Sequence, residues 1–186
     1  MSWRFLIASD VNVERYVFRD IDSRLSRREK SAVDDWMLSE KKFHVMRDHQ
    51  SHARYAMSGG MWGGIHEAMP NMRSLILNQD RPSTFLKDMD FLNSMVWIKA
   101  ESSVFQHDSF SCGRYEIDNS FPTTRVGFEH VGSVFINNKM RQSDVDVLRK
   151  ALRRTSNCAS HNINQTKNTI NDSDSTSTLL HKIRAK

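Results

Sequence analysis

The sequence predicts an α/β fold: a sandwich on a mixed, mainly parallel sheet, followed by a C-terminal helix and a disordered tail. Three observations lead there. Hydrophobic runs follow the order strand, helix, strand, loop, helix, strand; the short apolar strands stop abruptly in polar loops; and beyond Ile136 the composition turns to Asn, Ser and Thr with little to bury.

Tyr16-Val17-Phe18 is a β-branched and aromatic run that ends at Arg19-Asp20-Ile21-Asp22, which reads as a strand with two carboxylates at its C-terminal end. Ser26-Arg27-Arg28-Glu29 matches a capping box, in which Ser and the Glu three residues later satisfy free backbone N–H groups, so a helix begins there. Val33, Trp36 and Met37 then fall on one face. Phe43-His44-Val45-Met46 is the next strand, followed by the polar stretch Arg47-Asp48-His49-Gln50-Ser51-His52. Four of the seven glycines then fall within six positions, at Gly59, Gly60, Gly63 and Gly64. Such crowding suits a backbone that approaches a ligand closely, and equally a plain flexible loop. Ser83 to Met95 reads as a helix with Phe85, Leu86, Met89, Leu92 and Met95 inward, and Val104-Phe105-Gln106 as a strand leading into His107-Asp108. Phe128 to Gly132 is expected to close the sheet. Ser143 to Arg154 forms an amphipathic helix through Val145, Leu148, Ala151 and Leu152. The organisation expected is a domain over 1–136, the helix within 137–155 and a disordered basic tail over 156–186.

With 186 residues the chain suits one domain and a tail. Its net charge of +5 invites a nucleic-acid partner, but the charge is unevenly placed: ten Lys or Arg against four Asp or Glu follow Ile136, leaving 17 against 18 before it. The basicity belongs to the tail, so no specific nucleic-acid partner is expected. Two cysteines, Cys112 and Cys158, are too few for a disulfide framework. The apolar run before Asp10 is shorter than the roughly 7 to 15 residues of a signal-peptide core, and no stretch nears the roughly 20 apolar residues of a membrane span. Neither a secretion signal nor an anchor is expected.

Asp20 and Asp22 flank one residue at a strand end, a spacing that lets two carboxylates converge on a hard divalent cation. The same pair also suits helix capping or pairing with Arg19 and Arg24. Among the eight histidines no H-E-x-x-H occurs, although His49 and His52, three apart, can share a metal on a helix. Trp62 beside the glycines suits either stacking on a sugar ring or filling the core.

In context, Arg19-Asp20-Ile21-Asp22-Ser23-Arg24 resembles the DxD segment of GT-A glycosyltransferases. Phe43 to His49 looks like the next strand of such domains, Gly59-Gly60-Met61-Trp62-Gly63 like the segment lining their donor sugar, and Asp88-Met89-Asp90-Phe91-Leu92 like their D-Q-x-x-L helix with Met in place of Gln. The resemblance spans roughly Trp3 to Ile136. It implies a partial GT-A domain, carrying the metal-binding half without the strand and helix units that hold the nucleotide base, and a Golgi, endoplasmic reticulum or bacterial-envelope pathway. It also implies Mn²⁺ or Mg²⁺ held by Asp20, Asp22 and His107 against the diphosphate of a nucleotide-sugar donor. Asp88 or Asp90 then orients or deprotonates the acceptor hydroxyl, and Arg47, Asp48, Gly59, Gly60 and Trp62 contact donor or acceptor. Two other readings stand beside it: a non-catalytic, glycosyltransferase-derived interaction module, and a haloacid-dehalogenase-like phosphatase, whose motif wants Thr or Val where Arg24 stands.

Overall fold

The computed structural model describes residues 2–78, 87–111, 114–115 and 119–153. Phe85 and Leu86, both cysteines and the tail over 156–186 lie outside the described residues. A short 3₁₀ helix at Ser2–Ser9 precedes β1 (Arg15–Phe18), α1 (Arg27–Met37), β2 (Phe43–Arg47), β3 (Trp62–Ile65) and α2 (Met72–Leu77). Then α3 (Lys87–Phe91) runs through a π-helical turn at Leu92–Val96 into α4 (Trp97–Ala100), and β4 (Val104–Asp108) follows. A two-stranded ribbon of β5 (Phe135–Ile136) and β6 (Lys139–Met140) leads into α5 (Gln142–Leu152).

The main sheet has the order β1-β3-β2-β4. It is mixed, as expected, but only β2 and β4 pair in parallel, whereas β3 runs antiparallel to both β1 and β2. The expectation of a mainly parallel sheet is therefore corrected, and the cause is the glycine segment. Read as a loop, its second half is the central strand β3. A Cβ on Gly63 would lie 2.5 Å from the Tyr16 carbonyl oxygen, and one on Gly64 the same distance from the Tyr16 hydroxyl. Glycine is what admits the backbone there, with the Tyr16 ring lying over the space a side chain would take.

Both faces of the sheet are covered, which explains why every residue of β2 is buried. On one face Tyr16, Phe18, Phe43, Val45 and Trp62 meet Phe5, Met69, Met72, Phe91, Leu92 and Val96 in the main core. Phe18 and Trp62 have ring centroids 4.5 Å apart, and Phe5 meets Phe18 edge-on at 5.0 Å. On the other face α1 packs Trp36 flat against His44 at 5.3 Å, with Ala32 beside Met46.

Helix faces differ from the spacing argument in instructive ways. The Ser26 hydroxyl does accept from the Glu29 N–H at 3.1 Å, so α1 starts where the capping box puts it. Its inward stripe, however, runs through Glu29, Ala32 and Trp36, leaving Met37 half exposed. Glu29 holds an inward position because its carboxylate pairs with Arg19. In the α3–α4 helix Met89 and Leu92 are buried as expected, but the π turn inserts an extra residue and turns Val96 inward in place of Met95. In α5 Val145, Leu148 and Ala151 are buried while Leu152 is exposed. Phe128 to Gly132 forms turns instead of a closing strand. Among the described residues no helix is long and apolar enough to cross a membrane.

Candidate functional site

Beyond Phe18 the chain leaves the sheet as a tight turn. The Ser23 N–H donates to the Asp20 carbonyl at 3.1 Å and the Ser23 hydroxyl donates to it at 2.7 Å, while the Phe135 N–H donates to the Asp22 carbonyl at 3.2 Å. These backbone bonds hold the turn and turn both carboxylates outward: Asp20 and Asp22 are exposed. Asp22 has no partner for its carboxylate among the described residues. Arg19 ties the turn to its neighbours, pairing with Glu29 at the start of α1 and donating to the Gly60 carbonyl at 3.3 Å.

Residues remote in sequence converge on Asp20. A Cβ on Gly60 would lie 2.5 Å from an Asp20 carboxylate oxygen, so the two segments touch backbone to side chain. Helix α3 closes the site from the other side. Met89 sulfur accepts from the Gly59 N–H at 3.2 Å, and Asn93 clamps Met57 through both backbone groups, at 3.0 and 2.9 Å. Met89 thus keeps a bond from the glycine segment to the helix despite lacking an amide. Between the segments lies Arg4, from the N-terminal 3₁₀ helix. It donates to Asp20 at 2.6 Å and to Asp88 at 2.8 Å, and a Cβ on Gly59 would collide with its guanidinium. Asp90, one residue beyond the buried Met89, is exposed and its carboxylate has no partner among the described residues.

Other expected site residues are placed elsewhere. His107 is fully buried and both ring nitrogens are engaged, Nδ1 with His44 Nε2 at 2.9 Å and Nε2 with an Asp35 carboxylate oxygen at 3.1 Å. No hydrogen bond, ion pair or ring contact joins it to Asp20 or Asp22. Burial pulls its pKa down, with the Asp35 carboxylate opposing. A histidine so placed ties Asp35 on α1 to His44 on β2. Trp62 is fully buried in the core and offers no face to a sugar. Arg47 is buried too, donating to Gln106 at 2.8 Å, Asp108 at 3.0 Å and the Ala56 carbonyl, with its guanidinium 4.1 Å from the Tyr115 ring centroid.

Asp48 is a hub and offers no open carboxylate to a ligand. Its carboxylate accepts from Arg28, Arg125, the Ser109 hydroxyl and the Val131 N–H, which joins α1, the end of β2 and the 121–133 segment. Burial alone would raise its pKa, but the Arg28 hydrogen bond and the Arg125 charge outweigh that and hold it below the usual carboxylate value.

Sequence reasoning missed Arg4 and Asn93. Neither carries a motif: Arg4 interrupts an apolar run, and Asn93 reaches Met57 only across the sheet-to-helix gap. His49, His52 and His130 also gather, with ring centroids 4.5 to 6.0 Å apart. His49 and His130 are stacked, and His49 spends its nitrogens on Ser51 and the Asp144 carbonyl, so the rings do not converge on one point. Among the described residues no group of three or more His, Cys, Asp or Glu is arranged to hold a metal ion. At the turn after β1 the Asp20 carboxylate is held by Arg4 and the exposed Asp22 carboxylate is open; Mg²⁺ is commonly held by one or two carboxylates plus substrate phosphates and water.

No protein-family model matches the chain, and no curated protein or solved structure matches it significantly.

Proposed function

We propose that this chain carries the cation- and diphosphate-binding part of a nucleotide-sugar-dependent glycosyltransferase site, with Asp20 and Asp22 as the carboxylates for Mn²⁺ or Mg²⁺. One observation carries the reading: the Asp20 turn, the Gly59-Gly60 segment and Asp88 of α3, far apart in sequence, meet at one edge of the sheet. Composition alone gives no reason for that meeting.

In this reading a divalent cation supplies Lewis acidity toward the diphosphate leaving group. The residues do the rest. The missing side chains of Gly59 and Gly60 let the Arg4 guanidinium and the Asp20 carboxylate lie against the backbone, and Arg4 adds positive charge where the diphosphate departs. As the acceptor oxygen bonds to the anomeric carbon, the bond from that carbon to the diphosphate oxygen breaks and its electron pair leaves with the diphosphate. The acceptor proton passes to a carboxylate. Asp90 suits that step better than Asp88, because Arg4 already holds Asp88. His107, Arg47, Asp48 and Trp62 act through the scaffold.

Titration of the full chain with Mn²⁺ and UDP or GDP, followed by Mn²⁺ electron paramagnetic resonance, tests this. Metal-dependent nucleotide binding that falls at least about tenfold in Asp22→Asn is expected, the size of one lost charge-assisted contact. Equal binding by wild type and D22N removes the metal role. The non-catalytic module is favoured by one contact, the Arg4 guanidinium lying across Asp20 and Asp88; a stable chain with no affinity for Mn²⁺-UDP or Mn²⁺-GDP would select it.

A further inference from the structure

Arg4 stands where two carboxylates meet, and its contacts are those of a cation in residence. One terminal nitrogen donates to Asp20 at 2.6 Å, the other to Asp88 at 2.8 Å, so the guanidinium bridges the turn after β1 and the first turn of α3. The bridge is built, since Gly59 is the residue that makes room: a Cβ there would lie 2.3 Å from the bridging nitrogen. It is also incomplete. Arg4 Nε is buried with no acceptor, which leaves one donor of the guanidinium unsatisfied. An arginine presents five N–H donors in a planar fork that matches phosphate as well as carboxylate.

We infer that Arg4 is a resident counter-cation of this site, which holds Asp20 and Asp88 together in the absence of a divalent ion and transfers to the diphosphate when a cation–diphosphate complex binds. This rests on the reading of Asp20 and Asp22 as cation-binding carboxylates. The charge balance favours the exchange. A divalent ion on Asp20 displaces the guanidinium from that carboxylate, and the displaced guanidinium meets the diphosphate, the remaining uncompensated negative charge. Asp88 keeps its hold on the other nitrogen and acts as the pivot. Arg4 is one-third exposed, so the movement requires no opening of the core.

The test uses the full chain, with Mn²⁺ alone and then UDP or GDP at saturating Mn²⁺ as probes, in wild type and Arg4→Gln. Removing the competing guanidinium is expected to tighten Mn²⁺ alone about tenfold and to weaken diphosphate binding at saturating Mn²⁺ about tenfold, the size of one charge-assisted contact. Opposite shifts of the two ligands are the signature, because a merely structural Arg4 would weaken both. R4Q that leaves Mn²⁺ affinity unchanged, or weakens both, while wild type binds Mn²⁺-UDP, overturns the inference and leaves the cation site standing. Loss of all Mn²⁺-dependent binding in wild type overturns the cation site and the inference with it. Arg4→Lys, which keeps the charge but cannot span both carboxylates, is the companion variant should R4Q fail to fold, with a smaller gain in Mn²⁺ affinity expected.

Discussion

A methyl group on Gly60 would stand 2.5 Å from the Asp20 carboxylate and 2.9 Å from the Asp20 backbone nitrogen, and the second contact cannot be relieved by turning a side chain. Gly60→Ala is therefore expected to cost about 1–3 kcal/mol, as overpacking does, and to displace Asp20 from Arg4. Urea denaturation measures the first effect. Asp48 presents the opposite problem: one buried carboxylate pairs with two arginines, Arg28 and Arg125, at 2.7 and 2.5 Å. Asp48→Asn leaves that positive pair uncompensated and is expected to destabilise by about 3–5 kcal/mol. A loss below about 1 kcal/mol would mean that the two guanidiniums swing into solvent instead of staying buried without a counter-charge.

At the level of elements, α1 depends on a side-chain cap that the sequence states outright. Ser26→Ala should cost about 1 kcal/mol, with Ser26→Asp close to neutral, and the denaturant midpoint distinguishes them. The cap also positions the site indirectly, because Glu29 in the first turn of α1 holds Arg19, and Arg19 holds the Gly60 carbonyl. In the α3–α4 helix, the π turn at Leu92–Val96 sets the rotation that lets Asn93 reach Met57 while Leu92 and Val96 both enter the core. Asn93→Ala removes the partner of both Met57 backbone groups at once and is expected to cost roughly 2–3 kcal/mol, about one hydrogen bond each plus a buried carbonyl left unsatisfied. Loss of protection at the Met57 amide in hydrogen exchange would locate the effect.

For the molecule as a whole, acid should act through the histidines that link its parts. Burial, reinforced by the neighbouring rings, lowers the pKa of His52 to about 3 and that of His130 to about 4; burial lowers that of His49. Asp48 opposes this at each of the three, and Arg125 adds to it. Because the unfolded values lie near 6.5, the unfolded chain binds protons that the folded one refuses. The stability from these neutral rings is present above the unfolded value of about 6.5 and drains away as pH falls from there toward about 4 for His130 and about 3 for His52. A urea midpoint that drops between pH 7.5 and 5, and drops less in His130→Gln, is the expected outcome.

Much of this was legible in the chain. The capping box, the strand ending at Phe18, the strands at Phe43 and Val104 and the helix around Ser143 follow from local periodicity and capping chemistry, which depend on neighbours in sequence. The place of Asp20 and Asp22 in the loop after that strand was legible for the same reason. What periodicity could not give is pairing direction: the glycines that read as a loop are the central antiparallel strand, and only the packing of Tyr16 over Gly64 decides that. Nor could spacing show which polar residues are spent on one another. His107 on His44 and Asp35, Arg47 on Asp108, Asp48 on two arginines, and Arg4 between Asp20 and Asp88 are choices made across the fold, because a buried charge takes the partner that three dimensions bring within reach.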